Sequence, residues 1–198
     1  MEQVFARNHY RLSRLTSARE VEMLSELLVI VSQEKQWQLP HNWQHFENAS
    51  EHWVVHHDQR LLGGCALTVD GPVGLPFESV WSEYAHLKTE SSAEIFYLIM
   101  EQGTVHEQHT VLLPCFEMFR YCERAGISNV FTCITEKSRQ RYAKLGCPFR
   151  VVAPERVHWG YPSHLLSVSP REVCEAVQHK SARYQGLFRA QFDREDHA

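Results

Sequence analysis

The stretch AEIFYLIMEQGTVHEQHT, residues 93–110, changes character half-way along. Residues 93–100 are apolar at nearly every position, the pattern of a central strand covered on both faces. Glu94 is the one carboxylate among them. Residues 101–109 are polar, and Thr110 stands where a cap would open a helix with the stripe Leu112, Cys115, Phe116, Phe119 and Cys122. Pro114 falls early enough in that helix to remove no internal hydrogen bond. Gly126 is placed to end it. A strand–loop–helix unit holds phosphate when its loop offers exposed backbone N–H groups at the helix N-terminus. This loop carries Gly103 and no Arg or Lys, so a phosphate cradle is not expected here.

Outward from this stretch, SNVFTCIT (128–135) reads as the next strand and EKSRQRYAKLG (136–146) as the next helix, closed by Gly146. FRVVAP and HLLSVSP read as two more strands. Ser169-Pro170-Arg171-Glu172 is a capping box with Pro at the first helical position, opening a final helix to about residue 190. Upstream, HYRLSRLT (9–16) alternates as a strand does. Thr16 or Ser17 caps a helix to about residue 34 with Met23, Leu24, Leu27, Leu28 and Val31 as its apolar stripe. The aromatic loop QWQLPHNWQHFENAS follows, then a hairpin of HWVVHH (52–57) and RLLGGCALTV (60–69), then a short helix at 76–85. No repeat or linker interrupts the chain, so residues 1–198 are expected to form a single domain with a C-terminal helical extension from about 170. The order of elements implies a three-layer α/β (α+β) fold, a mixed central sheet flanked by helices.

The 43% hydrophobic and 22% charged content is that of a globular protein. A formal charge of −4 argues against nucleic acid as a partner, because neutralising phosphates needs a basic excess. No apolar run is long enough to span a membrane, and MEQVFARNHYRL lacks the apolar core of a secretory signal. Six scattered cysteines, none in C-x-x-C spacing, read as reduced core residues of a cytoplasmic protein. No metal site is expected: His56 and His57 in HHDQ point to opposite faces of a strand, and Asp58 marks a hairpin tip.

This order resembles the acetyltransferase-like (GNAT) fold. In detail it is similar to one branch, the acyl-homoserine-lactone synthases of bacterial quorum sensing and the long-chain N-acyl amino acid synthases. Trp37 sits where that branch has a substrate-pocket Trp, RLLGGCALTVDG matches a strand with Gly-Cys near its centre, and Gly126-Ile127 and Arg141-Tyr142 match a Gly-Ile and an Arg-Phe. The resemblance implies an N-acyltransferase with no permanently bound cofactor. It would move a fatty acyl group from acyl carrier protein or acyl-CoA to a small-molecule amine. A carrier-protein donor keeps its phosphate on a flexible arm, which fits the cation-free loop. The chain departs from the branch where an Arg and Asp set binds the amino substrate: the branch's helix Arg falls on Leu27 and its helix Phe on Val31, its strand Arg residues fall on Leu67 and Tyr97, and only Glu47 remains of an acidic loop. S-adenosylmethionine is therefore not supported as acceptor. Two other readings are open: a catalytically silent module holding an apolar ligand, and an acetyl-CoA-dependent N-acetyltransferase.

Glu94 is the expected general base, since burial would raise its pKa, with Tyr97 as a proton carrier or oxyanion donor. The backbone amides of Leu98 and Met100 would hold the acyl carbonyl where the two central strands part. Trp37 would wall the acceptor pocket, and Phe116, Phe119, Phe131, Cys133 and Thr135 would line the acyl tunnel, although the same residues at the same spacing also suit an ordinary core. Lys137, Arg141 and Lys144 repeat along one helix face, and with Arg150 they form a basic surface suited to an acidic carrier protein. The stripe Tyr184, Leu187, Phe188 and Phe192 suits packing within the chain or on a second subunit, and the oligomeric state is left open.

Overall fold

The structure, a computed structural model, describes residues 2–5, 10–58, 60–101 and 112–180. The loop from Gly103 to Thr110 and the stripe from Tyr184 to Phe192 lie outside the described residues. The strands are β1 (Glu2–Phe5), β2 (Tyr10–Arg14), β3 (Ser50–His57), β4 (Arg60–Val69), β5 (Ser92–Met100), β6 (Asn129–Ile134), β7 (Arg150–Val151), β8 (Arg156–His158) and β9 (Tyr161–Val168). The helices are α1 (Ala18–Glu34), α2 (Trp43–Asn48), α3 (Leu112–Arg124), α4 (Glu136–Leu145) and α5 (Pro170–Lys180). Eight strands run across the sheet in the order β1-β2-β3-β4-β5-β6-β9-β7, and β8 forms a hairpin with β9. The sheet is antiparallel except where β5 meets β6, which run parallel.

Alternation along the strands fills two layers. Trp53, Cys65, Ala93, Ile95 and Val130 point to the face packed by Phe116, Phe119 and Cys122 of α3 and Val173 of α5. Val54, Ala66, Phe96 and Ile99 point to the other face, against Leu24, Leu28 and Val31 of α1. Two 3-10 turns, Pro76–Ser79 and Ser82–Leu87, extend that second layer, with Phe77 of the first and Trp81 between them packing on Phe131 and Leu165. The three-layer expectation from the element order holds.

The differences from the sequence reading are local. Met23 is 41% exposed and not part of the buried stripe of α1, whose buried residues are Leu24, Leu28, Val31 and Ser32. The aromatic loop contains α2, and the segment 76–85 forms two 3-10 turns in place of one helix. β1 and β8, too short to show a period, were not expected. Asp58 turns the β3–β4 hairpin with φ 52°, as the HHDQ reading expects.

Gly64 of β4 has a packing reason. A Cβ there would lie 2.3 Å from the Trp53 carbonyl oxygen on β3, a backbone atom that cannot step aside. A Cβ at Gly71 would meet nothing nearer than 3.9 Å. Gly64→Ala should therefore lose about 1–3 kcal/mol of stability by overpacking, while Gly71→Ala stays within about 0.5 kcal/mol of wild type. Chemical denaturation of the two variants beside the parent checks the contrast.

Candidate functional site

β5 and β6 are paired only over their first four residues, from Ser92 with Asn129 to Ile95 with Thr132. Beyond that point β5 continues to Met100 alongside β4, and β6 turns instead to β9. The two strands open as a V. Glu101 N donates to Leu62 O at 2.7 Å. Amides alternate in direction along an antiparallel strand, so those of Leu98 and Met100 point away from β4, into the V. A strand edge with unspent N–H groups beside an apolar cleft is a donor site for a carbonyl oxygen.

Phe96 sets the walls of the cleft. Tyr97 is opposite Ala66, but Ile95 is opposite Leu67, so Phe96 is an extra residue in β5. Past the bulge the parity of the strand reverses. Phe96 and Tyr97 both lie on the α1 face, and Ile95 and Leu98 on the α3 face. The cleft between the strands has a volume of about 200 Å³. At one end it is bounded by Trp37, Phe96, Tyr97, His158, Trp159 and Tyr161. At the other it is bounded by Cys115, Phe116, Phe119, Tyr142, Phe149 and Val173. No Asp, Glu, Lys or Arg among the described residues lines it.

Trp37, Tyr97, Leu98, Phe116, Phe119, Cys133 and Thr135 thus come together on one cleft. Thr135 also caps α4, its Oγ1 accepting from Ser138 N at 3.3 Å. Three expected residues do not join them. Phe131 packs at a tilt on Phe77, 4.8 Å between ring centroids, in the cluster under the 3-10 turns. The Met100 side chain packs with Leu12, Val55 and Leu62, so only its amide is turned to the cleft. Glu94 is 1% exposed and sits behind Cys133, which donates to its Oε1 at 3.5 Å, while Phe77 N donates to its Oε2 at 2.6 Å. Glu94, two residues before Phe96, lies on the same face of the sheet as Phe96, at the end of β5 that the 3-10 turns cover.

Burial pushes the Glu94 carboxyl up to about 8, against the Phe77 and Cys133 hydrogen bonds that hold it down. It therefore keeps its proton at neutral pH. A protonated, walled-off acid is not the general base expected from the sequence. Tyr97 has the access that Glu94 lacks. Its hydroxyl donates to Glu47 Oε1 at 2.7 Å, and Ser25 Oγ donates to the same oxygen at 2.8 Å. Burial first, and then the Glu47 charge, push the Tyr97 phenol well up, so it stays protonated. Glu47, 2% exposed, also borders a polar pocket between α1, α2 and β3 that includes Ser17, Gln44 and His52. The cleft and this second pocket meet at the Tyr97–Glu47 hydrogen bond.

His158 and Trp159 were not singled out from the sequence. They form the tip of the β8–β9 hairpin with Gly160, at φ 52° for Trp159 and 86° for Gly160. Trp159 lies 5.5 Å from Trp37 and 5.5 Å from Phe96 between centroids, and stacks on His158 at 5.4 Å. Burial alone pulls His158 down to about 4, leaving it neutral. The signal for this turn was Trp-Gly between two short runs, RVH and YPSHLL.

On the outer face of α4, Lys137, Arg141 and Lys144 are exposed. None of the three has an acidic partner among the described residues, whereas Arg150 is paired with Glu172 of α5. The basic surface consists of three cations and leaves Arg150 out.

No protein-family model and no curated protein sequence matches the chain. Solved structures do. FeeM, an N-acyl amino acid synthase from uncultured soil microbes, superposes with a TM-score of 0.74 at 15% identity, covering 85% of this chain and 96% of FeeM. The fold is that of the GNAT-like acyltransferases. It takes the form seen in FeeM and in the acyl-homoserine-lactone synthase LasI, with a TM-score of 0.67 at 14% identity over 88% of this chain and 99% of LasI. BjaI, a CoA-dependent acyl-homoserine-lactone synthase solved with SAM and isopentyl-CoA, gives 0.62 at 11% identity over 88% of this chain and 82% of its own. Within this GNAT-like fold, no helix among the described residues is long and apolar enough to cross a membrane.

The raised pKa of Glu94 makes a stability prediction. A carboxyl near 4.3 when unfolded and about 8 when folded binds its proton more tightly in the folded state. Its contribution is fully present below about pH 4 and is lost as pH rises towards 8. Wild type should lose stability across that window relative to Glu94→Gln, which keeps an oxygen for Phe77 N and has nothing to titrate. Parallel pH-dependences of the two midpoints in urea would contradict the assignment.

Proposed function

We propose that the chain is an N-acyltransferase that moves an acyl group from a thioester, carried by acyl carrier protein or coenzyme A, to a small amine. The observation that carries this reading is the V between β5 and β6, with two unspent amides on one arm and an uncharged, largely apolar cleft running past them. The thioester carbonyl lies in the V with its oxygen on the Leu98 and Met100 amides. The acyl chain runs towards Phe116, Phe119 and Val173, and the amine enters from the Trp37 and Trp159 side. The cleft volume of about 200 Å³ is below the ~300–1,000 Å³ usual for drug-sized ligands, which favours a compact acyl chain over a long one. BjaI, similar in fold, is described as CoA-dependent, and the unpaired Lys137, Arg141 and Lys144 suit an acidic carrier protein.

The amine attacks the carbonyl carbon directly. As the C–N bond forms and the C–S bond breaks, the amine proton passes to the Tyr97 oxygen while the Tyr97 proton passes to Glu47. The high pKa of Tyr97 suits a relay better than a base. The thiolate leaves with its carrier and collects a proton from solvent. Tyr97 occupies the position where the resembling branch has Arg, so the relay replaces a charge with a hydroxyl.

The test is transfer from acyl-CoA, or from acyl carrier protein, to a panel of primary amines, followed by mass spectrometry. Formation of an amide product is expected. An intact fatty ligand that co-purifies, with no transfer from either donor, would favour a binding module. Tyr97→Phe and Glu47→Gln should each lower turnover by roughly 10²- to 10⁴-fold, and the double variant should be little worse than either single one, as for groups that act as a unit. Wild-type turnover in both variants would remove the relay. Lys137→Glu with Arg141→Glu should weaken binding of acyl carrier protein, most of all at low salt, where surface charge is least screened. Equal affinities at low ionic strength would remove the docking face.

A further inference from the structure

Two polar atoms buried at the acceptor end of the cleft have no hydrogen-bond partner: Nε2 of His158 and Nε1 of Trp159. Both residues line the cleft and His158 is 8% exposed; the two nitrogens lie just beneath the wall, so a ligand reaches them by a small turn of the rings. Buried polar groups are nearly always paired, so two adjacent orphans on one cleft wall call for a partner from outside the chain. They are also held at a cost. Trp159 has a left-handed backbone, φ 52°, which the two-residue hairpin turn demands but which is unusual for a bulky residue. The turn is clamped in turn by Gln38 N donating to Trp159 O at 3.0 Å and by the Tyr161 hydroxyl donating to the Lys35 carbonyl.

The chemistry of the two atoms restricts the ligand. An indole N–H only donates, and a neutral imidazole nitrogen accepts or donates according to its tautomer. A hydroxyl answers both, accepting from Trp159 and donating to His158, and a primary amide does the same. A carboxylate does not suit this end of the cleft. No Lys or Arg among the described residues lines it, and an unpaired charge in a dry site is costly. The N-terminus of α4 reaches the cleft at Thr135 and Ser138, but the Ser138 amide is already taken by Thr135 and Glu136 adds negative charge there.

We propose that His158 and Trp159 form a recognition subsite for a neutral hydroxyl or amide group on the acceptor amine, so that the acceptor is an amino alcohol or amino amide and not a free amino acid. This names the acceptor class and rests on the acyltransferase reading above. The aromatic walls around it, Trp37, Phe96 and Tyr161, take the apolar body of the acceptor. The amine is left towards Tyr97 and the V.

Isothermal titration calorimetry without any acyl donor tests the subsite separately from the reaction. The probes are leucinol, leucine and 3-methylbutylamine, which share one apolar body and carry a hydroxyl, a carboxylate or neither. Wild type should bind leucinol at least ~10-fold more tightly than the other two, the value of one or two well-made hydrogen bonds. Trp159→Phe keeps an aromatic ring and removes the donor. It should bring leucinol to within about 3-fold of 3-methylbutylamine, whose own affinity is largely kept. His158→Phe should do the same. Leucine bound as tightly as leucinol, no measurable binding of leucinol, or a leucinol preference that survives Trp159→Phe would overturn the proposal. If a variant fails to fold by its melting curve, the wild-type ranking of the three probes still decides. Absence of acyl transfer alongside the expected ranking would count against the acyltransferase reading and not against the subsite.

Discussion

The extra residue in β5, Phe96, governs what the middle of the molecule can present. With Tyr97 opposite Ala66 and Ile95 opposite Leu67, the strand before Phe96 and the strand after it face opposite ways. Before the bulge, β5 pairs with β6 and directs Glu94 to the 3-10 turns. After it, β5 keeps its ladder with β4, while β6 has gone to β9. A sheet does not usually leave such an edge unpaired, because free N–H groups in a buried setting are costly. Here that edge borders a cleft, where a ligand can take the place of the missing strand.

Two buried carboxylates share this face of the sheet, and the bulge brings Tyr97 to one of them. Glu94 lies behind Cys133 and holds its proton, and its hydrogen bond from Phe77 N fixes the first 3-10 turn on the sheet. Glu47 lies further along the same face, in reach of Tyr97 only because the bulge turns the phenol to the α1 face. Two acids within one fold thus receive different surroundings, the usual way in which like groups acquire unlike roles. The cleft between them carries no formal charge among the described residues. It suits an uncharged carbonyl and an uncharged amine, and it gives no counter-ion to a charged substrate.

The aromatic end of the cleft is built from segments far apart in sequence. Trp37 follows α1, Phe96 is in β5, and Trp159 tips the β8–β9 hairpin, with centroids 5.5 Å from Trp159 to each of the other two. Gln36 and Trp159 both have positive φ, 56° and 52°. Each strained residue sits beside a hydrogen bond that ties the two segments together, through Gln38 and Tyr161. Strain of this kind persists only where the surroundings over-determine it, and a rigid aromatic wall follows.

The sequence by itself determined the layers. Periodicity and caps placed α1, α3, α4 and the central strands, because an amphipathic stripe and a closing glycine are local properties that survive without knowledge of the partner. Trp37, Phe116 and Phe119 could be placed on a cleft for the same reason: an apolar helix face or loop aromatic has few other destinations. The cation-free loop after β5 was also plain in the residues. Only the tertiary structure decided which side of β5 each residue faces, since a bulge is a mismatch between two strands and leaves no mark on either one alone. It placed Glu94 behind Cys133 and Tyr97 on Glu47, and it took Phe131 off the cleft wall. It also supplied His158 and Trp159, whose hairpin is too short to show a period. Their unpaired nitrogens acquire meaning only when β9 brings them to Trp37 and Phe96, more than sixty residues away along the chain.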